Sequence, residues 1–177
     1  MKKKIIISTI IVMILSVIFH SVYKFIPCLF TSLIFPVNES LWEHGKMIIL
    51  SYICLTIIEK IFYKDNSNII FSNLIASLIC MILDFTIFGF IYFYILNTKD
   101  NMIVTIITYL ICIITSLIIK EKYLRKEDNK KYNIISIIIY ITICIIFIIF
   151  TYYPLRLPFF YDYNKNFYGI NNKTISD

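Results

Sequence analysis

The stretch NIISIIIYITICIIFIIFTYY, residues 133–153, contains no charged side chain. An α-helix needs about 20 predominantly apolar residues to cross the hydrocarbon core of a bilayer. The many β-branched residues do not indicate a strand, because a segment of this length in lipid must satisfy its own backbone hydrogen bonds, as a helix does. The stretch therefore predicts a transmembrane helix.

Four further segments meet the same criterion and predict an all-α integral membrane bundle of about five transmembrane helices in one domain. The predicted spans are residues 5–23, 39–63, 69–96, 102–119 and 133–153, followed by an extracytoplasmic tail at 154–177. The composition agrees, because 59% of the residues are hydrophobic and 16% are charged, whereas about a quarter are charged in soluble domains. The apolar run at residues 25–35 is too short to span, and we expect it to be interfacial or re-entrant.

The basic residues predict how the bundle is oriented. If the N-terminus is inside, most of the 17 lysines and arginines lie on the inner side, many of them in the loop KEKYLRKEDNKK at residues 120–131. The positive-inside rule then predicts an N-in, C-out membrane protein. The first helix lacks an A-x-A-like cleavage site, so we expect it to be retained. The predicted partner is the lipid bilayer rather than nucleic acid, and the sequence does not identify a protein partner.

A polar cluster interrupts the apolar sequence at FPVNESLWEHGKMI, residues 35–48. Ser40 and Glu43 match the S-x-x-E capping box and predict a helix start. Glu39 and Glu43 are four residues apart and are expected on one face, where the helix dipole favours anions. Glu43 and Lys46 are spaced to form an ion pair. With Trp42 in the interfacial aromatic belt, the cluster is typical of a helix entering a membrane.

The two histidines suggest that this helix end is also a site. His20 and His44 are predicted at similar depth on the outer side. Two imidazoles together with a carboxylate are a suitable ligand set for zinc or a similar divalent ion. The metal candidates are therefore His20, His44 and Glu43, with Glu39 or Asp162 as further carboxylates. The chain has no HExxH or HxH motif, and the alternative is that both histidines are interfacial hydrogen-bonding residues.

Besides Glu39 and Glu43 of the polar cluster, two acidic residues lie inside predicted spans, Asp84 and Glu59. Asp84 is near the middle of the third span, where a carboxylate costs about 2.5 kcal/mol or more unless it is paired or protonated. It could serve as an ion relay or a ligand, or it could hydrogen-bond a neighbouring helix. Only about 20 Å of helix separates Lys46 from Glu59, so at least one charged end of the second span must be shielded by protein. In the tail, Asp162 and Arg156 are interpreted as solvated anchors.

The cysteines carry no signal of a disulfide framework or a thiolate metal site. No CxxC motif occurs, and each cysteine lies in an apolar run. We interpret all five as small hydrophobic residues: Cys28, Cys54, Cys80, Cys112 and Cys144.

The pattern FH-S-V-Y followed by F-P-V-N-E-S-L-W-E-H-G-K resembles a family of small multi-pass membrane proteins of low-GC Gram-positive bacteria. That family is known only as a domain of unknown function, and its second span opens with NES-x-WEH-x-K. The chain departs from the family pattern at Lys24, where the family has an acid, and at Gly45, where it has leucine. It matches at His20, Tyr23, Asn38, Glu39, Ser40, Trp42, Glu43, His44, Lys46, Pro158, Asp162, Tyr168 and Gly169.

Three functional hypotheses follow from the sequence. The favoured one is a non-enzymatic structural or interaction role, in which the motif fastens helices or a partner. The second is a metal-dependent membrane enzyme that acts on a lipid-like substrate. The third is a small transporter or ion-binding protein that uses Asp84 and Glu59. The sequence contains no phosphate-binding loop, nucleophile elbow or dinucleotide fingerprint that would favour one of them.

Overall fold

The computed structural model describes residues 2–62, 68–91, 102–124 and 129–170. The predicted end of the third span at residues 92–96, part of the basic loop and the last seven residues of the tail lie outside the described residues. The described helices are α1 (Lys2–Phe25), α2 (Leu29–Ile34), α3 (Leu41–Phe62), α4 (Ile69–Leu83), α5 (Met102–Leu124) and α6 (Lys130–Tyr152).

Four of these segments are long and apolar enough to cross a membrane: Lys3–Phe25, Ile69–Phe88, Met102–Leu124 and Lys130–Tyr152. They correspond to the first, third, fourth and fifth predicted spans. Helix α3 corresponds to the second, and its 22 residues include charged side chains at both ends. At about 1.5 Å per residue, α3 is also about as long as the hydrocarbon core is thick.

Helix α3 lies inside the bundle rather than on its surface. It packs against α1, α4 and α6, while α5 packs against α1 and α4. Tyr52 and Leu55 of α3 are fully buried in a core cluster with Val12 and Ile113. Many isoleucines on the outside of α1, α5 and α6 are exposed, as expected for side chains that face lipid. Glu43, Lys46 and Glu59 of α3 are buried, whereas Lys60 at its end is exposed. The prediction that protein shields at least one charged end of this helix is therefore confirmed.

Helix α4 does not continue as regular α-helix through the predicted third span. It ends at Leu83, and Asp84–Phe88 form a π-helical turn. Such turns are rare in proteins overall, but those that occur are often found at functional sites. The π-helical turn begins at the one acidic residue predicted in the middle of this span.

The tail forms a small folded unit on the bundle. A 3₁₀ turn at Pro158–Phe160 leads into β1 (Tyr161–Asp162), which pairs antiparallel with β2 (Phe167–Tyr168). Gly169 has φ +65°, and a Cβ there would lie 2.7 Å from the carbonyl oxygen of Thr151, so glycine allows the tail to approach the end of α6. The predicted all-α fold therefore describes the bundle, and the tail adds a β-hairpin.

The predicted short segment at residues 25–35 contains the six-residue helix α2. Phe25, Ile26, Leu29 and Phe30 are all at least 60% exposed. An exposed apolar helix of this length suits an interface but does not span a bilayer.

Gly45 is where aromatic side chains of two other segments approach α3. A Cβ at this position would lie 2.7 Å from Phe85 Cζ and 3.0 Å from Phe147 Cζ. We expect Gly45→Ala to lower the free energy of unfolding by about 1 kcal/mol, because overpacking costs more than helix propensity gains. The control is Gly89→Ala, whose Cβ would meet Leu41 Cδ1 at 3.5 Å. Denaturant unfolding in detergent measures both, and equal stability of the two variants would contradict the prediction.

Candidate metal and substrate site

The polar motif folds as a turn that precedes α3. Asn38 Oδ1 accepts a hydrogen bond from the Ser40 backbone N–H at 2.8 Å, and Ser40 Oγ accepts one from the Glu43 N–H at 3.4 Å. The predicted capping box is therefore half formed, because Asn38 rather than Glu43 receives the Ser40 N–H. Since the helix begins at Leu41, Glu39 lies outside it. The expectation that Glu39 and Glu43 share a helix face is wrong.

Glu43 and Lys46 form the predicted ion pair, with Lys46 Nζ 3.0 Å from Glu43 Oε2. Both residues are buried, at 1% and 4% exposure. Glu43 also accepts hydrogen bonds from Thr151 Oγ1 and from the Val37 N–H. Because both carboxylate oxygens are engaged away from the histidines, Glu43 is unsuited to be a metal ligand. This half of the motif joins α3 to α6.

Trp42 packs inside an aromatic group at the start of α3. Its ring lies 4.7 Å from Phe147, 5.4 Å from Phe150 and 4.8 Å from Phe160, measured between centroids. Within the described ranges its indole Nε1 is buried without a hydrogen-bond partner. Trp42 therefore attaches the tail, through Phe160, to α3 and α6.

The other half of the motif meets the end of α1. Glu39 Oε2 lies 3.3 Å from His20 Nε2 and 3.7 Å from His44 Nε2. The two imidazole centroids are 5.8 Å apart, and one ligand atom from each of the three residues lies within 4.8 Å of the others. The side chains are partly exposed, at 37% for His20, 35% for Glu39 and 14% for His44. We call this group the His–Glu–His triad.

The two histidines set the electrostatics of Glu39. Hydrogen bonds from His20 and then from His44 lower the pKa of the Glu39 carboxyl well below its usual range, against an opposing effect of desolvation. Glu39 therefore remains a carboxylate at all physiological pH values, which is the form that binds metal ions.

The triad fits a zinc-class ion. Tetrahedral ligands at Zn–N and Zn–O distances of 2.0–2.2 Å lie about 3.4 Å from one another. The two distances to Glu39 are close to this value, and the imidazoles need to approach each other by about 1 Å. Two histidines and a glutamate are the ligands of several catalytic zinc sites, which keep a fourth position for water or substrate.

Asp162 positions the triad from the tail. It is fully buried, and its Oδ2 accepts a hydrogen bond from the Glu39 N–H at 3.1 Å. Its Oδ1 accepts from the backbone N–H groups of Asn164 and Lys165, both at 2.9 Å. Asp162 is thus neither a metal ligand nor the solvated anchor that the sequence suggested. Arg156 has its guanidinium carbon 4.9 Å from the centre of the Tyr168 ring.

Asn38 makes a second connection to the tail. Its side-chain nitrogen donates to the Gly169 carbonyl oxygen at 2.7 Å. Together with the Asp162 contact, this bond holds the motif turn in place across more than a hundred residues of sequence. The motif turn and the tail therefore meet in the structure.

The triad opens onto a cavity of about 620 Å³. Asp84, at the start of the π-helical turn, lines the cavity and is 4% exposed. Among the residues that the structure describes, no group forms a hydrogen bond or ion pair with its carboxylate. Ser16 and Tyr109 also line the cavity and hydrogen-bond each other at 2.7 Å. The structure therefore brings Asp84, His20, Glu39 and His44 to one space.

Glu59 belongs to a separate cluster near the other end of α3. It forms an ion pair with Lys120 and accepts hydrogen bonds from Ser8 at 3.0 Å and Asn73 at 2.7 Å. The position of Glu59 along α3 leaves the fully buried Tyr52 and Leu55 between it and the triad. Packed core therefore separates Glu59 from the triad, whereas Asp84, the other acidic residue of the transport hypothesis, lines the cavity beside the triad.

Sequence reasoning did not find three of the residues around the triad. Ser16, Tyr109 and Lys165 line the cavity, but each lies in a segment whose other features are ordinary for a span or a tail. The only available signal was that hydroxyl residues within apolar helices tend to face protein rather than lipid.

Comparison with known proteins gives a family without an activity. The chain belongs to DUF6512, a family of unknown function whose model matches residues 1–170. No curated protein and no solved structure matches the chain.

Proposed function

We propose that this member of DUF6512 is a metal-dependent membrane enzyme that hydrolyses a lipid-like substrate. The observation that carries the proposal is the His–Glu–His triad at a cavity that also contains a buried carboxylate, Asp84, which pairs with no residue that the structure describes. His20, Glu39 and His44 hold the metal ion, and Asp84 acts on the substrate or on water in the cavity.

Asp84, for which the described part of the chain offers no hydrogen-bond or ion-pair partner, favours an enzyme over a purely structural motif. A carboxylate buried in a span destabilises the protein unless it is paired or protonated, and such groups are concentrated at functional sites. A helix-fastening role accounts for Glu43 and Lys46, whose polar atoms are engaged with protein. It does not account for the convergence of His20, Glu39 and His44, or for the cavity beside them.

The chemistry that this arrangement supports is metal-assisted hydrolysis. A divalent ion lowers the pKa of its bound water to near 7 and polarises the bond to be broken. His20, Glu39 and His44 would hold the ion, which would supply an activated water. Asp84 would accept a proton from a water in the cavity as the oxygen of that water forms a bond to the carbonyl carbon or phosphorus of the substrate. The ester bond then breaks, and the proton passes from Asp84 to the leaving oxygen.

In the arrangement that we propose, the protein spans the cell membrane of a bacterium five times, with the N-terminus inside and the C-terminus outside. Helix α3 supplies the fifth span in addition to the four apolar helices. The triad and the tail then lie at the outer face, while the Glu59–Lys120 pair lies toward the inner face. This orientation follows the bias of basic residues toward the inner loops.

Zinc titration tests the metal site. We expect the purified, chelator-stripped protein to bind about one zinc ion at pH 7. Binding weakens as the pH falls, because metal ions bind only deprotonated ligands. Glu39 does not contribute to this loss, because its lowered pKa keeps it ionised until much lower pH. Isothermal calorimetry and metal analysis measure the affinity, with Glu121→Gln as the control.

Reconstituted protein tests the reaction. We expect ester or phosphoester hydrolysis in vesicles that stops when the metal is removed and returns when zinc is restored. Loss of the reaction in Asp84→Asn, with zinc affinity retained, would support the role of Asp84. The proposed enzyme is excluded if the protein binds no divalent ion at pH 7.

A further inference from the structure

We infer that the substrate is a phosphate-bearing lipid that enters the cavity sideways between α1 and α5, with its headgroup at the triad. The inference rests on the proposed function, since it names the substrate class of the same site. It is carried by the exposure of two walls of the cavity, by its depth and by its charge.

The side of the cavity between α1 and α5 is formed by side chains that are also on the outside of the bundle. Val17 of α1 is 64% exposed and Ile106 of α5 is 42% exposed, and both line the cavity. Their neighbours Ile14 and Ile107 are 54% and 53% exposed but do not line it. The cavity therefore borders the apolar outer surface that would contact lipid.

The depth of the cavity suits an amphiphile rather than a path across the membrane. Along α1 it extends from Ser21 to Met13, which is about 12 Å at 1.5 Å per residue. A bilayer core is about 30 Å thick, so the cavity occupies only its outer part. Its 620 Å³ could hold about twenty water-sized groups, which suits a headgroup and part of one acyl chain.

The lining away from the triad contains apolar side chains beside polar ones. The triad lies at the outer end, whereas Met13 and Met47 line the part near the Ser16–Tyr109 hydrogen bond. A lipid can satisfy both ends at once, with its charged headgroup at the metal and its chain against the methionines.

The charge of the outer end favours an anionic headgroup. Lys165 is exposed and lines the cavity. A divalent ion would offset the negative charges of the Glu39 and Asp84 carboxylates. The ammonium group of Lys165 then gives the metal-loaded site a net positive charge. Phosphate binds both to hard or borderline metal ions and to lysine ammonium groups. We therefore favour a phosphate-bearing lipid over a neutral lipid ester.

Photo-cross-linking tests the inference. The zinc-loaded full chain is reconstituted in phosphatidylcholine vesicles that contain phosphatidic acid with a diazirine in its acyl chain. We expect cross-links on the cavity faces of α1 and α5, mapped by mass spectrometry. Val17→Trp and Ile106→Trp should each lose these cross-links, because the indole blocks the opening of the cavity between α1 and α5. Ile14→Trp and Ile107→Trp are matched controls on the same helices and should retain them.

Two competition experiments and one labelling experiment test whether the site recognises a phosphate-bearing lipid, a free phosphate ion or an acyl chain alone. Unlabelled phosphatidic acid should remove the cross-links, whereas inorganic phosphate at the same concentration should not. Competition by inorganic phosphate would mean that the site takes a free anion, and equal labelling by diazirine-bearing diacylglycerol would remove the headgroup preference. Either result overturns the inference, as does unchanged labelling of both Val17→Trp and Ile106→Trp.

Zinc titration of the same samples separates this inference from the proposed function. Bound zinc without cavity cross-links means that the metal site stands and the lipid assignment fails. Cross-links without bound zinc mean that the proposed metal-dependent enzyme fails. If one of Val17→Trp and Ile106→Trp does not fold, the other still decides the result, because the two residues lie on different helices.

Discussion

Replacing Glu39 by glutamine is expected to lower zinc affinity by about a hundredfold or more while leaving the folded yield unchanged. The amide keeps the size of the side chain but removes the negative charge that faces both imidazoles. Glu39 is about one-third exposed and lies outside the helices, so its charge contributes little to packing. The Glu39 backbone N–H bond to Asp162 is retained in the variant.

Glu43→Gln is the matched control for this experiment. The two glutamates are four residues apart in the same motif, but Glu43 is 1% exposed and is paired with Lys46. We expect Glu43→Gln to lower the folded yield. We expect the protein that still folds to bind zinc. Calorimetric titration and gel-filtration yield of both variants give the comparison. If Glu39→Gln binds zinc as tightly as the original chain, Glu39 is not a ligand.

Replacing Lys46 by methionine is expected to lower the free energy of unfolding by about 3–5 kcal/mol. Methionine has nearly the same length but leaves the Glu43 carboxylate buried without its cation. It also removes the two hydrogen bonds that Lys46 Nζ donates to the carbonyl oxygens of Ser32 and Phe35, at 3.1 and 3.2 Å. The loss is large because three polar partners are left in a site that excludes water.

Thermal and denaturant unfolding in detergent measure this loss. Lys24→Met is the control, because Lys24 is an exposed lysine at the end of α1. The double variant Glu43→Gln with Lys46→Met should recover part of the stability, since it removes the uncompensated charge. A Lys46→Met protein as stable as Lys24→Met would contradict the assignment of this pair as a buried fastening between helices.

The motif shows how far sequence patterns predict a site. The Glu43–Lys46 spacing correctly predicted an ion pair, because residues three apart on a helix are neighbours whatever surrounds them. The same reasoning placed Glu39 beside Glu43 on one face, and this was wrong because the helix starts two residues after Glu39. The Asn38 hydrogen bond to the Ser40 N–H holds that turn. Helix boundaries depend on such local competition, which a periodic pattern does not resolve.

The burial of Asp162 and its hydrogen bond to the motif could not be predicted from the sequence around it. In the sequence it is an acidic residue in a polar, aromatic tail, and such residues are usually solvated. In the structure it is fully buried and binds the Glu39 N–H. Its burial depends on the packing of Phe160 against Trp42 and on the close approach allowed by Gly169.

The sequence by itself determined the helices of this protein and the four segments apolar enough to cross a membrane. Each of those is a property of one continuous stretch, since apolar length and backbone hydrogen bonding are local. Only the tertiary structure decided that His20, Glu39 and His44 converge and that Asp84 lines the same cavity. It also decided that Glu43 lies outside this cavity. Those relations join α1, the motif turn, α4 and the tail, and they depend on how separate segments pack against one another.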